Sequence, residues 1–283
     1  MSENPWLHRR VINYAHQGGA FEGPSSTLFA IEQALQNGAV GIELDVHMSA
    51  DGHLVVCHDA SVDRTTNGTG AIATLTLKEL QSLDNAYWFS PGADVSPGLN
   101  DDAYPYRGRA PKDREFSIAT LEEVLTRFPN AILNLDIKQS APTVAPYEAH
   151  LAQMLRRFDR KDDVIVASFL DGALVNFREI APEIPTSAGT LATLQFWRSV
   201  KDGAPCSLGP AVALQVPLRR GDVVVLDQGF VDAAHKEGVA VHVWTINEKE
   251  DMTTLIDLGV DGIVSDRPSV LSSVLSTRGV SWG

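Results

Sequence analysis

The sequence predicts an α/β fold of the (β/α)8 TIM barrel class, with a β-hairpin excursion after the second strand and an aromatic loop insertion. Three observations point there. Short apolar, β-branched runs alternate with segments of helical period, giving eight strand-then-helix repeats over about 250 residues. Asp51-Gly52 is a turn too short for a parallel crossover, so residues 53–58 must return antiparallel and are not a barrel strand. The polar residues that stand out, His16, Glu43, Asp45, Asp136, Lys138, Ser168, Gln215, Trp244 and Asn247, all fall at the C-terminal ends of predicted strands, where barrel active sites sit.

Taken in order, residues 11–15 form a short strand that runs into His16-Gln17-Gly18-Gly19, a histidine with backbone room around it, which is either a site residue or a surface residue beside a turn. Residues 27–37 carry Leu28, Ile31, Ala34 and Leu35 at helical spacing behind a hydroxyl N-cap, with Asn37-Gly38 as the stop. Residues 40–59, VGIELDVHMSADGHLVVCHD, place Glu43 and Asp45 two apart on one face of a strand, then return through the hairpin to His58-Asp59. Residues 63–73 are turn-rich and residues 75–83 make a short helix. An irregular tract at 84–115 is too rich in Tyr87, Trp88, Phe89, Tyr104 and Tyr106 for disorder and is expected to be an ordered flap. Thr120 opens a helix with Glu123 at the capping-box position.

The strand at 131–138, AILNLDIK, places Asn134, Asp136 and Lys138 on one face. Strands at 164–168, 186–190, 211–216, 240–246 and 262–265 follow, with helices at 147–158, 172–180, 191–200, 227–237 and 249–258 between them. One domain over residues 1–283 is expected.

Composition narrows the function. A formal net charge of −13 argues against nucleic acid, whose phosphates are held by Lys and Arg, and against an anionic bilayer surface. No stretch approaches the roughly 18 apolar residues of a membrane span. The start, MSENPWLHRRV, lacks an apolar leader region, so no stable membrane association and a cytoplasmic location are expected. The 2 cysteines, Cys57 and Cys206, are too few for a disulfide framework. Two carboxylates as close as those of Glu43 and Asp45 repel one another, and a shared hard cation, Mg²⁺ or Ca²⁺, is the usual remedy.

AHQGG, GIELDV, DGHLVVCHD, LNLDIK, VWTIN and the closing DGIVSDRP, in this order, resemble the glycerophosphodiester phosphodiesterase family over almost the whole chain. The resemblance implies a distorted barrel that hydrolyses glycerophosphodiesters to sn-glycerol 3-phosphate and an alcohol with two histidines and one divalent metal ion. Carried over by position, His16 and His58 are the acid/base pair and Glu43, Asp45 and Asp136 the metal ligands. Three positions depart from the family pattern. Gln17 stands where an arginine is usual, Pro24-Ser25-Ser26-Thr27 where Pro-Glu-Asn-Thr is usual, and Asp136 where the third ligand is usually glutamate.

The chemistry suits these residues. A phosphodiester anion repels a nucleophile, so its charge must be offset, by a metal and by Lys138. Two histidines can take a proton on one side and give one to the leaving alkoxide on the other. The resemblance implies a route in which the neighbouring glycerol hydroxyl attacks first, giving a cyclic phosphate that water then opens; the residues fit direct attack by water equally. Gln17, Lys138, Ser168, Gln215, Trp244 and Asn247 are expected to contact substrate, and Arg107 of the flap to stand in for the charge absent at Gln17. Two alternatives stay open: a lysophospholipase D or phosphatidylinositol-phospholipase-like lipid phosphodiesterase, and a weakly catalytic barrel that binds a phosphorylated metabolite. Oligomeric state is left open, a homo-oligomer included.

Overall fold

On several barrel strands (Ile12, Tyr14 and His16; Ile132, Asn134 and Asp136; Ala213 and Gln215) the inward-facing side chains run from apolar to polar, and that gradient places the site. The computed structural model describes residues 4–7, 11–93 and 95–280. Part of the N-terminal stretch, one residue of the 84–115 tract and the last three residues therefore lie outside the description. The strands are β1 (Ile12–His16), β2 (Gly41–Met48), β3 (Leu54–Val56), β4 (Ile132–Ile137), β5 (Val164–Ala167), β6 (Ala213–Pro217), the two-residue pair β7 (Arg219–Arg220) and β8 (Val223–Val224), β9 (Ala240–Trp244) and β10 (Gly262–Ser265). The helices are α1 (Leu28–Gln36), α2 (Leu77–Gln81), α3 (Leu121–Arg127), α4 (Glu148–Arg157), α5 (Asp171–Ile180), α6 (Thr190–Asp202), α7 (Gln228–Lys236), α8 (Lys249–Leu258) and α9 (Pro268–Thr277).

The main sheet runs β5-β4-β2-β1-β10-β9-β6, and every neighbouring pair on that path is parallel. Parallel bridges Val166↔Thr186 and Ser187↔Ala213 join its two ends, so the sheet closes into an α/β barrel. The predicted strand at 186–190 is thus reduced to two bridging residues, because the backbone turns at Gly189 into α6, which starts at Thr190. As expected, β3 folds back antiparallel on β2, with Val46 opposite Val56. The β7–β8 pair and α9 were not foreseen; Pro268 at the first turn of α9 sets its φ for a helix start.

The outward faces of β2, β4 and β5, including Ile42, Leu44, Leu133 and Val166, pack under α1, α3, α4 and α5. Those of β6, β9 and β10 pack under the later helices. Thr27 and Thr120 cap α1 and α3 through Ala30 N and Glu123 N, and Glu123 completes the capping box foreseen from its spacing. No helix among the described residues is long and apolar enough to cross a membrane.

Inside, the floor is made by Trp6, Ile12, Tyr14, Ile132, Ile165, Ala213, Ala240 and Val264. The ring of Tyr14 fits because Gly41 lacks a side chain; a Cβ there would sit 2.5 Å from it. Gly262 likewise leaves room for His242, whose ring lies 5.3 Å from that of Tyr14. His242 is fully buried with neither ring nitrogen hydrogen-bonded, and burial pushes its pKa down to about 3.

A neutral native His242 and a freely protonating unfolded one give a definite sign. Stability from this residue is intact above the unfolded pKa of about 6.5 and is lost as pH falls from there towards the folded value. Between about pH 7 and about pH 5, His242→Leu should lose roughly 2 kcal/mol less unfolding free energy than the parent in urea titrations. Equal losses would show that the native ring takes up a proton.

Candidate active site

Above the floor, the strand register brings ionisable groups together. His16 is paired with Glu43 across β1 and β2, and Asp45 with Asp136 across β2 and β4. The hairpin returns His58 to this end, where its ring centroid is 6.1 Å from that of His16, edge to face.

His16 is held on both sides. Its Nδ1 lies 2.6 Å from Asp266 Oδ1, and its Nε2 is 3.2 Å from the Gln17 amide and 3.8 Å from Glu43. Burial alone would lower its pKa, but the hydrogen bond to Asp266 and the charges of Glu43, Asp266 and Asp45 outweigh that and raise it to about 9. Asn247 fixes Asp266 in turn, donating to its Oδ2 at 2.8 Å and accepting from its backbone N–H at 2.9 Å. His58 Nδ1 is 2.7 Å from Asp59 Oδ1, and Arg64 Nε donates to the other Asp59 oxygen at 2.5 Å.

The carboxylates are buried. Burial first, then Asp45, raises Glu43 to about 8, and burial raises Asp136 to about 6 against the pull of Lys138. Lys138 lies 2.9 Å from Asp45 and 3.4 Å from Asp136, and those two charges lift its pKa although burial opposes the rise. Lys138 does not satisfy the whole cluster: Asp45 Oδ2 and Asp136 Oδ1 are buried with no hydrogen-bond partner. Side chains among the described residues do not converge as a ready set of three metal donors. The two orphaned oxygens nevertheless fit a cation, since hard oxygens without a proton or donor are what Mg²⁺ or Ca²⁺ takes.

Of the other residues singled out in the sequence, Gln17 and Asn247 reach this cluster. Gln17 adopts a left-handed backbone (φ 52°), and its side chain accepts from Ser25 Oγ and is buried beside His16. Trp244 ends β9 with its ring 5.6 Å from that of Phe169, over which the Lys138 ammonium stands at 5.9 Å. Gln215 is tied across the barrel to Asn134 at 3.0 Å. Ser168 donates to Ile137 O at 2.6 Å and accepts from Leu170 N, shaping the turn after β5. Asn247 reaches the site through Asp266. The structure does not bring Arg107 to the histidines: its guanidinium lies 3.6 Å from the Tyr104 ring centroid and 4.4 Å from that of Tyr87, and it donates to Asp101 and Tyr87 O. Among the described residues of the flap, Tyr106 stacks on Phe89 and packs at a tilt against Phe29 and Phe116.

Asp266 and Arg64 are the polar partners that sequence reasoning passed over. Asp266 stood in the closing DGIVSDRP, but its partner is 250 positions away and only the barrel brings them together.

The model of the glycerophosphoryl diester phosphodiesterase family matches residues 16–270. The chain is 31% identical over 275 residues to a glycerophosphodiester phosphodiesterase of Caldanaerobacter subterraneus subsp. tengcongensis, covering 95% of this chain and 100% of that one. It superposes on the crystal structure of a glycerophosphodiester phosphodiesterase from Agrobacterium tumefaciens with a TM-score of 0.70 and 26% identity, covering 92% of this chain and 98% of that one. An Oleispira antarctica phosphodiesterase, solved with the product sn-glycerol-3-phosphate, shares the fold at a TM-score of 0.66 and 24% identity over 93% of this chain and 96% of its own.

Lys138→Met leaves Asp45 and Asp136 facing each other with no ammonium between them. It should lower the unfolding free energy at neutral pH by about 3 kcal/mol, the scale for breaking a buried pair. The deficit should shrink as pH falls, because the carboxylates then take up protons; a urea-unfolding series in pH tests both parts.

Proposed function

The chain belongs to the glycerophosphoryl diester phosphodiesterase family and is a glycerophosphodiester phosphodiesterase; we propose that His16 and His58 are its acid/base pair and Glu43, Asp45 and Asp136 hold one divalent cation beside them. The observation that carries this reading is the meeting of the two imidazoles, 6.1 Å apart, with three buried carboxylates on the adjoining strands. The products are sn-glycerol 3-phosphate and an alcohol.

Each histidine has Nδ1 anchored to a carboxylate; Nε2 of His58 is then the nitrogen offered to substrate, while Nε2 of His16 exchanges its proton beside the Gln17 amide and Glu43. A phosphodiester lying between the rings can lose a proton from its attacking hydroxyl or water to one imidazole. It can receive one on its leaving oxygen from the other. Lys138 sets a positive charge beside the non-bridging oxygens. A bound divalent ion supplies Lewis-acid stabilisation of charge developing on the phosphoryl group. Asp266 and Asn247 keep His16 from rotating away as its proton moves.

A second reading, a lipid-derived alcohol, is favoured by the rim. Phe169, Leu170, Leu191 and Leu194 are all exposed, and Thr190 Oγ1 bonds Phe169 O at 2.9 Å, which joins the loop after β5 to the start of α6. Release of the alcohol and of its phosphomonoester partner should be followed over a panel of glycerophosphodiesters, which leave glycerol 3-phosphate, and lysophospholipids, which leave acylglycerol 3-phosphate. Preference for a long acyl chain decides for the second reading, and preference for small polar alcohols decides against it.

Exhaustive EDTA treatment should abolish turnover, and Mg²⁺ or Ca²⁺ should restore it. The same ions should raise the melting temperature of the parent but not of an Asp45→Asn, Asp136→Asn double variant. Turnover that survives with the metal content shown to be nil removes the cation from the mechanism.

His16→Ala and His58→Ala should each lower kcat on the order of 10²-fold or more, the scale for losing a general acid or base. Both should fold, with the lower melting temperature in His16→Ala because Asp266 loses its imidazole partner. A folded variant with parental kcat would remove that histidine from the pair.

A further inference from the structure

The two histidines are anchored alike at Nδ1, but the third members of their relays differ in charge. Asp266 is held by the neutral amide of Asn247, whereas Asp59 is held by the guanidinium of Arg64. The loop that carries Arg64 is fixed: Ser61 bridges Ala71, Val62 N bonds Gly70 O at 3.0 Å, and Thr66 Oγ1 bonds Val62 O at 2.8 Å. Thr65, next in the chain, donates to Asn85 at 2.6 Å, and Asn85 donates to Ser25 O at 3.0 Å, so the loop is tied to the segment that buries Gln17 beside His16. A guanidinium on a framework of this kind holds a carboxylate in one orientation.

We propose that Arg64, acting through Asp59, is a positioning residue for His58: it locks the carboxylate that fixes the ring at Nδ1 and offsets that carboxylate's hold on the ring proton. This rests on His58 being one of the acid/base pair. With Nδ1 committed to Asp59, Nε2 is the nitrogen left to exchange a proton with substrate. The hydrogen bond from His58, against the effect of burial and together with Arg64, holds the Asp59 carboxyl well below the usual carboxylate range, so Asp59 stays an anion and does not take the proton itself. The ionisable groups that face His58 are Asp59 and Arg64 from its own segment, His16 from β1, His47 from β2, whose Nε2 approaches His58 O at 3.5 Å, and Asp136 from β4. Of these, Arg64 is the cation that offsets Asp59 directly.

The test compares Arg64→Met, Arg64→Lys and Asp59→Asn in the full chain, with kcat, KM and the ring titration of His58 followed by NMR. Arg64→Met should lower kcat on the order of 10-fold or more with little change in KM, since a misdirected ring harms the reaction and not the binding. It should also move the His58 titration upward, because the uncompensated Asp59 then favours the imidazolium. Arg64→Lys should recover most of both, and Asp59→Asn should move the titration downward. A folded Arg64→Met with parental kcat and an unmoved titration overturns the proposal. So does a loss of kcat that comes with a lowered melting temperature and no change in titration, which is the signature of a merely structural arginine. If Arg64→Met does not fold, Asp59→Asn decides, and an unmoved His58 there overturns the relay. Parental turnover in His58→Ala would instead strike at the acid/base reading beneath it.

Discussion

Three carboxylates on two adjacent strands, all turned into the mouth of a barrel and shielded from water, are the constraint that the rest of the site answers. Buried like charges raise one another's pKa, and Glu43 and Asp136 both show that rise. Lys138 and His16 are the nearby answers, one from the end of the LNLDIK segment and one from β1. They do not suffice, because two carboxylate oxygens remain without partners. Left so, the cluster works against folding at neutral pH.

The barrel can carry this load because the lower half of its interior is apolar and filled. Trp6 closes the floor, Tyr14 and His242 fit over Gly41 and Gly262, and the amides of Asn134 and Gln215 satisfy each other, with Asn134 in register with Glu43. A strand has a period of two, so the same strand can send Ile42, Leu44 and Val46 outward into the helix layer and Glu43 and Asp45 inward. A register slip of one residue would bury the charges against the helices and expose the apolar face to the mouth.

The same period explains what could be read in advance. The bounds of α8 and β10 were legible to the residue, and the paired faces of β2 and β4 followed from alternation alone. The strand expected at 186–190 shrinks to the bridging residues Thr186 and Ser187, because Gly189 turns the chain into the helix that starts at Thr190. Arg107 was expected at the site because it lies in an aromatic flap, but the flap aromatics that made it conspicuous are what hold it away from the histidines. Asp266 could be suspected only as part of a motif, since which of many carboxylates meets His16 depends on closing β1 against β10.

The departure at Gln17 shows how local chemistry and fold act together. An arginine there would bring a guanidinium to the phosphate, but the glutamine is turned inward, held by Ser25 and by the backbone bond from its N–H to Glu43 O at 3.0 Å. Ser25 stands where a carboxylate is usual in the family pattern, so the two departures meet in one hydrogen bond, from the Ser25 hydroxyl to the Gln17 amide oxygen. The phosphate must then find its positive charge elsewhere at the mouth, and among the described residues that meet the carboxylates Lys138 and a protonated His16 are the groups that carry it.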